Sequence, residues 1–97
     1  MENKFDIGTF VNVLTVQSAA SRLSERFKKR RKEKGLSQRK IATLSGVSYS
    51  SLRRFEATGE ISLRSLMELA RVLGCLEDFN GLFATPIVTD LRDYEND

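Results

Sequence analysis

The sequence contains no histidine and no tryptophan, and it has one cysteine and one proline among 97 residues. Without histidine, the commonest general base and the commonest metal ligand are missing, and every triad that needs histidine is excluded. The single Cys75 can form neither an internal disulfide nor a thiolate metal cage, which fits a reducing compartment. No glycine-rich loop or nucleophile–base spacing supports catalysis. The sequence therefore predicts a protein that is not an enzyme and needs no cofactor.

Long apolar runs are also missing, since no run approaches the roughly 20 residues that span a bilayer. The first 15 residues carry Glu2, Asp6 and only Lys4, unlike the basic start of a secretory signal. We therefore expect a cytoplasmic protein with no membrane partner. A chain of 97 residues has room for one domain with a small core, so association with a second copy is expected.

The charges are unevenly placed along a chain whose formal net charge is +3. Residues 22–34 contain eight bases and two acids, whereas residues 76–97 contain six acids and one base, Arg92. A cationic run is usually a solvated helix face, but it also suits a polyanionic partner. The basic segment at residues 22–34 should therefore attract anions, whereas the acidic segment at residues 76–97 should not.

Apolar spacing and the placement of serines and glycines predict an all-α, compact five-helix domain. The helices are expected over residues 18–34, 37–45 and 49–57, then from Ser62 to Gly74, and last over residues 76–83. Residues 1–17 would form an N-terminal extension, residues 18–83 the domain, and residues 84–97 an acidic C-terminal tail. The positions expected to face inward are Ala20, Leu23, Phe27, the stems of Arg30 and Arg31, Ile41, Ala42, Leu44, Val47, Leu52, Phe55, Leu66, Leu69, Ala70, Leu73, Leu76, Phe79, Leu82 and Phe83.

The β-branched stretch at residues 9–16 fits either a strand or one face of a helix, and we favour the helix slightly. Cys75 is expected to be a small buried apolar residue without reactivity. Phe79, Leu82 and Phe83 are expected in the core, with a dimer contact as the alternative.

The second and third helices, joined by a tight turn, have the dimensions of a helix-turn-helix. The sequence reads GLSQRKIA at residues 35–42 and SGVSYSSLRRFE at residues 45–56. This pattern resembles the lambda-repressor-like, XRE-type helix-turn-helix family over about residues 22–74. The small side chain of Ala42 allows the two helices to approach closely, and Gly46 supplies a left-handed turn.

Hydroxyl and guanidinium groups suit base edges and phosphates, and the third helix would present several of them. The resemblance implies that Tyr49, Ser50 and Arg54 read bases. Ser48 would either cap the helix or contact DNA, and Arg53 would contact a base or a phosphate.

Phosphate contacts are expected at two helix starts, where the helix dipole favours anions. The resemblance assigns a phosphate contact to Gln38, a secondary one to Arg39, and a flanking one to Arg64. It also implies that Arg31 forms an internal salt bridge, with Glu56 as a partner or as a cap of nearby amides.

These observations predict a sequence-specific DNA-binding transcription regulator at the nucleoid, a repressor that binds a palindromic operator in double-stranded DNA as a homodimer. Two alternatives stay open. HipB-like antitoxins, which bind a kinase-like toxin and repress their own operon, are similar in length. A protein-interaction module without DNA binding is the third hypothesis.

Overall fold

The computed structural model describes residues 13–87, and these residues form four α-helices followed by a 3-10 helix, with no β-strand among them. The all-α prediction with five helices is confirmed. No helix in this part of the chain is long and apolar enough to cross a membrane. The elements are α1 (Val16–Glu33), α2 (Gln38–Ser45), α3 (Tyr49–Thr58), α4 (Leu63–Val72) and the 3-10 helix (Leu76–Gly81).

Helix α1 begins two residues before the predicted start, at Val16. The Thr15 hydroxyl accepts from the Ser18 amide at 3.0 Å, and the Ser18 hydroxyl accepts from the Thr15 amide at 3.0 Å. This capping box makes Thr15 the residue before the helix, and Ser18 its third residue. Of the ambiguous stretch, residues 13–15 have no regular structure, and residues 9–12 lie outside the described residues.

Helices α2, α3 and α4 begin where serine spacing predicts. The hydroxyls of Ser37, Ser48 and Ser62 each accept from the amide three residues later, at 3.0 to 3.1 Å. Gly46 ends α2 in the left-handed conformation, with φ at 78°.

The core lies where α1, α2, α3 and α4 meet. Phe27 of α1 packs edge-on against Phe55 of α3, with ring centroids 5.3 Å apart. The largest fully buried side chains are Phe55, Ile41, Leu52 and Leu69. Cys75 is half-buried against this core, and so less buried than expected.

Two inward predictions on α1 and α2 are wrong, at Arg30 and Leu44. Leu44 is 46% exposed because α2 buries the narrow stripe of Ile41, Ala42 and Ser45, and Leu44 lies about 100° around the helix from its centre. Arg30 is exposed, whereas the neighbouring Arg31 is buried and has partners inside the protein.

The last element is a six-residue 3-10 helix with no buried residue, not an α-helix over residues 76–83. Cys75 before it provides no side-chain cap, so the first turn is held by backbone bonds such as the Asp78 amide to the Cys75 carbonyl, 3.0 Å. The chain turns away after Gly81. Leu76 is 42% exposed, Leu82 is 60% exposed, and Phe83 is 95% exposed with φ at 63°, so the expected inward place of all three is wrong.

Candidate nucleic-acid interface

The turn between α2 and α3 is tied to α2 by one buried serine. The Ser45 hydroxyl donates to the Ala42 carbonyl at 3.3 Å and accepts from the Val47 amide at 3.1 Å. Val47 is buried against the core. Together with the left-handed Gly46, these contacts determine where α3 starts relative to α2.

Helix α3 is divided into a buried side and an exposed side. Leu52 and Phe55 are fully buried, and they hold the helix to the body of the protein. From the cap to Arg54, the exposed side chains are Ser48, Ser50, Ser51, Arg53 and Arg54. The expected reading residues therefore lie on the surface, apart from Tyr49, which is half-buried.

Three hydroxyls cluster at the start of α3. The Ser48 oxygen lies 3.3 Å from the Ser50 oxygen, and Ser48 donates to the Ser51 oxygen at 2.8 Å. Because Ser48 also accepts from the Ser51 amide, it caps the helix while remaining exposed. Ser51 joins Ser48 and Ser50 at this surface, although it was not among the residues assigned a DNA contact.

Tyr49 brings together two of the predicted phosphate or base contacts. The Arg39 guanidinium carbon lies over the Tyr49 ring, 4.1 Å from its centroid, and that of Arg53 lies 5.5 Å from it. Both distances are within the range of cation–π attraction. Arg39 of α2 and Arg53 of α3 are thus joined at one aromatic ring.

Arg54 forms an ion pair with Glu60, just after the end of α3. The Thr58 hydroxyl donates to the Arg54 carbonyl at 2.8 Å and accepts from the Glu60 amide at 3.1 Å. This turn places the Glu60 carboxylate against the Arg54 guanidinium. Sequence reasoning missed Glu60, and the only available signal was a carboxylate shortly after the helix-ending Gly59.

Gln38 is half-buried at the start of α2, and its amide nitrogen donates to Glu56 Oε1 at 2.9 Å. Glu56 also receives two bonds from Arg31, at 2.7 and 3.1 Å. The internal salt bridge expected for Arg31 is therefore present. Gln38 is held at the edge of this pair.

Arg64 is exposed in the first turn of α4, where it lines a shallow cleft with Met67, Glu68 and Arg71. Among residues 13–87, no hydrogen bond or ring contact joins Arg64 to a residue of α3. The predicted residues thus fall into a cluster around Tyr49, a serine cluster, two carboxylate-bound residues and the separate Arg64.

Residues 27–79, more than half of the chain, match a family model described as helix-turn-helix. No curated protein and no solved structure was found to match the chain. The matched segment contains the whole of α2, the turn, α3 and α4. The chain therefore belongs to the lambda-repressor-like, XRE-type helix-turn-helix family of DNA-binding transcription regulators.

Proposed function

We propose that the protein recognises a specific operator by placing α3 in the major groove of double-stranded DNA, and that it represses by occupying that operator. The observation that carries this proposal is the division of α3. Leu52 and Phe55 are fully buried, whereas Ser50, Arg53 and Arg54 are exposed on the same helix. A helix held by one side can enter a groove with the other.

The proposed contacts divide into base reading and phosphate binding. Arginine bonds guanine with two donors, serine bonds several base edges, and a tyrosine ring contacts a thymine methyl. The proposed base readers are Tyr49, Ser50 and Arg54, with Ser48 and Arg53 beside them. The proposed phosphate contacts are Gln38, Arg39 and Arg64.

The test begins with selection of preferred duplexes from a pool of randomised sequence. Tyr49→Ala and Arg54→Ala should each reduce the preference for the selected duplex over a scrambled one by about tenfold or more. Fluorescence anisotropy with both duplexes measures this ratio. An equal loss of affinity for both duplexes would contradict the base-reading role of the replaced residue. If the wild-type chain binds neither duplex at low salt, the protein would instead be an interaction module.

We also propose that the regulator binds as a homodimer. One short helix reads few base pairs, whereas two copies about one helical turn apart add their contacts and impose a half-site spacing. A two-fold dimer requires a palindromic operator. The selected duplexes should therefore contain inverted repeats.

The proposed dimer surface is an apolar groove of about 530 Å³ between α1, α4 and the 3-10 helix. Arg26 and Arg30 line it from α1, whereas the 3-10 helix carries Glu77 and Asp78. Because a two-fold interface joins the same surface of both copies, these opposite charges are available for pairing between the copies. The apolar residues that line the groove are Ala19, Leu23, Phe27, Leu66, Ala70, Leu73, Cys75, Phe79 and Leu82.

An antitoxin is the second candidate function. The groove contains no residue of α2 or α3, so a toxin that took the place of the second copy there would not contact the proposed DNA-reading residues through the groove. Co-expression with the product of an adjacent kinase-like reading frame should give a stable complex in which kinase activity is suppressed. If no complex forms and kinase activity is unchanged, the protein is a regulator and not an antitoxin of that kinase.

A further inference from the structure

A side-chain contact between Arg39 and Tyr49 joins the two helices of the helix-turn-helix at the protein surface. Tyr49 is the first residue of α3, and its half-buried side chain packs against the core. Arg39 is an exposed residue of α2 whose guanidinium carbon lies 4.1 Å from the ring centroid. The part of the ring that remains accessible therefore has a cation from the other helix over it.

Within residues 13–87, neither Arg39 nor Arg53 forms an ion pair. Arg31, Arg54 and Arg71 do, each with a glutamate. Among the described residues, the Tyr49 ring is thus the group against which the Arg39 and Arg53 guanidiniums lie. Two positive charges near one ring repel each other, and the negative face of the ring offsets part of that repulsion.

We propose that Arg39 is a positioning residue that determines base preference through Tyr49, by holding the ring in one orientation before DNA arrives. The inference rests on the proposed reading of DNA by α3. A tyrosine has few rotatable bonds, and fixing them in the free protein removes part of the ordering cost of binding. It also excludes ring orientations that would fit a different base.

This role differs measurably from a phosphate contact. A guanidinium that only bonds a phosphate contributes equally to every duplex, and its loss makes the negative slope of log affinity against log salt less steep by about 0.9. A guanidinium that positions Tyr49 changes the ratio of affinities between duplexes that differ at the base beneath the ring. General electrostatic losses cancel in that ratio.

The experiment uses the full chain, the duplex selected from the randomised pool, and duplexes changed at single positions. Arg39→Gln should reduce discrimination at the position that Tyr49→Ala also affects by about two- to fivefold. In the Tyr49→Ala background, Arg39→Gln should have no further effect on discrimination. The control is Lys40→Gln, which removes an exposed cation from the same helix and should weaken all duplexes alike.

A second measurement needs no DNA. The side-chain protons of Arg39 should show an upfield ring-current shift in the NMR spectrum of the free protein, and Tyr49→Ala should abolish it. Because the chain has no tryptophan and only two tyrosines, Tyr94→Phe leaves Tyr49 as the sole tyrosine emitter, and Arg39→Gln should change its emission.

Three results would overturn the proposal. The first is an unshifted Arg39 spectrum in the free protein, and the second is a loss of discrimination from Arg39→Gln that persists in full in the Tyr49→Ala background. The third is an Arg39→Gln variant that weakens every duplex alike, which would leave Arg39 with a phosphate contact alone. If the wild-type chain binds no duplex, the proposed function fails, while the NMR result still decides whether Arg39 orients the ring.

Discussion

Arg31 and Glu56 form a bidentate ion pair inside the protein, with Nε to Oε2 at 2.7 Å and Nη2 to Oε1 at 3.1 Å. Their side chains are 7% and 4% exposed. Arg31 also donates to the Leu36 carbonyl at 2.8 Å, and Glu56 accepts from Gln38. One buried carboxylate near the end of α3 therefore ties together α1, the start of α2 and α3 itself.

Removing that carboxylate should destabilise the protein strongly. Glu56→Ala leaves the Arg31 guanidinium buried without a counter-charge, which typically costs about 3 to 5 kcal/mol. Urea unfolding measures the change in the free energy of unfolding. Glu68→Ala, which breaks the exposed pair with Arg71, is the control and should cost less than about 1 kcal/mol. Similar losses for both variants would show that the buried pair contributes no more than a surface pair.

Two glycines with the same backbone conformation should respond differently to alanine. Gly46 and Gly59 have φ of 78° and 82°, so alanine costs about 1 to 2 kcal/mol at either position. At Gly46 the added methyl meets nothing within 4 Å. At Gly59 it would lie 2.8 Å from Ala20 Cβ and 2.9 Å from the Ala20 carbonyl, which adds about 1 to 3 kcal/mol of overpacking. Equal unfolding free energies for the two variants would contradict the close approach of α3 to α1.

Glu60 should compete with DNA for Arg54. The pair is exposed, with side chains 69% and 61% accessible, so breaking it costs about 0.2 to 1 kcal/mol. We expect Glu60→Gln to raise affinity for the selected duplex by about two- to fivefold at low salt, and less as salt screens the pair. Anisotropy titrations at several salt concentrations measure the affinities of the wild-type protein and of Glu60→Gln for the selected duplex.

The matched control is Glu25→Gln, which removes one negative charge from α1 and breaks no ion pair among the described residues. In the Arg54→Ala background, Glu60→Gln should lose its effect. A gain that survives without Arg54 would mean that Glu60 acts by general repulsion of DNA.

Gln38→Ala should weaken binding to all duplexes by a similar factor, because a phosphate contact carries no base information. The removed amide is neutral, so the salt dependence of affinity should stay the same. The affinities of Gln38→Ala for the selected and the scrambled duplex show whether Gln38 contacts a phosphate or reads a base. A loss confined to the selected duplex would assign Gln38 to base reading.

Leu82→Asp should dissociate the proposed dimer without unfolding the domain. Leu82 lines the proposed groove and is 60% exposed, so its replacement removes little packing from the monomer. Sedimentation velocity should show a shift toward monomer, and the free energy of unfolding of the monomer should stay within about 0.5 kcal/mol of the wild-type value. Leu63→Asp, at an exposed apolar position at the start of α4, is the control. An unchanged dimer in Leu82→Asp would place the interface elsewhere.

Much of the architecture could be predicted from the sequence because the signals are local. A serine hydroxyl that caps a helix reaches an amide three residues away, so Ser37, Ser48 and Ser62 mark helix starts without any tertiary information. The exception is α1, where Ser18 has the same chemistry but serves as the third residue of a capping box that begins at Thr15. Periodicity also failed at residues 82 and 83, where the chain leaves the 3-10 helix and no element among residues 13–87 covers the apolar side chains.

The candidate site was predicted as a set of residues, but its internal pairing was not. From the sequence alone, Arg39, Arg53 and Arg54 are indistinguishable, because each is an arginine on the exposed side of a short helix. In the fold, the first two lie over Tyr49 and the third pairs with Glu60. These partners depend on the crossing of α2 with α3 and on the turn after Gly59.

The sequence by itself determined helices α2, α3 and α4, the left-handed turn at Gly46 and the family, because each depends on contacts a few residues apart or on a short motif. Only the tertiary structure decided which of two adjacent arginines, both expected to direct their stems inward, is buried. Arg31 is buried with Glu56, 25 residues away, while the adjacent Arg30 remains exposed. A rotation of about 100° per residue around α1 separates these two arginines, and the packing of α3 against one side of α1 selects between them.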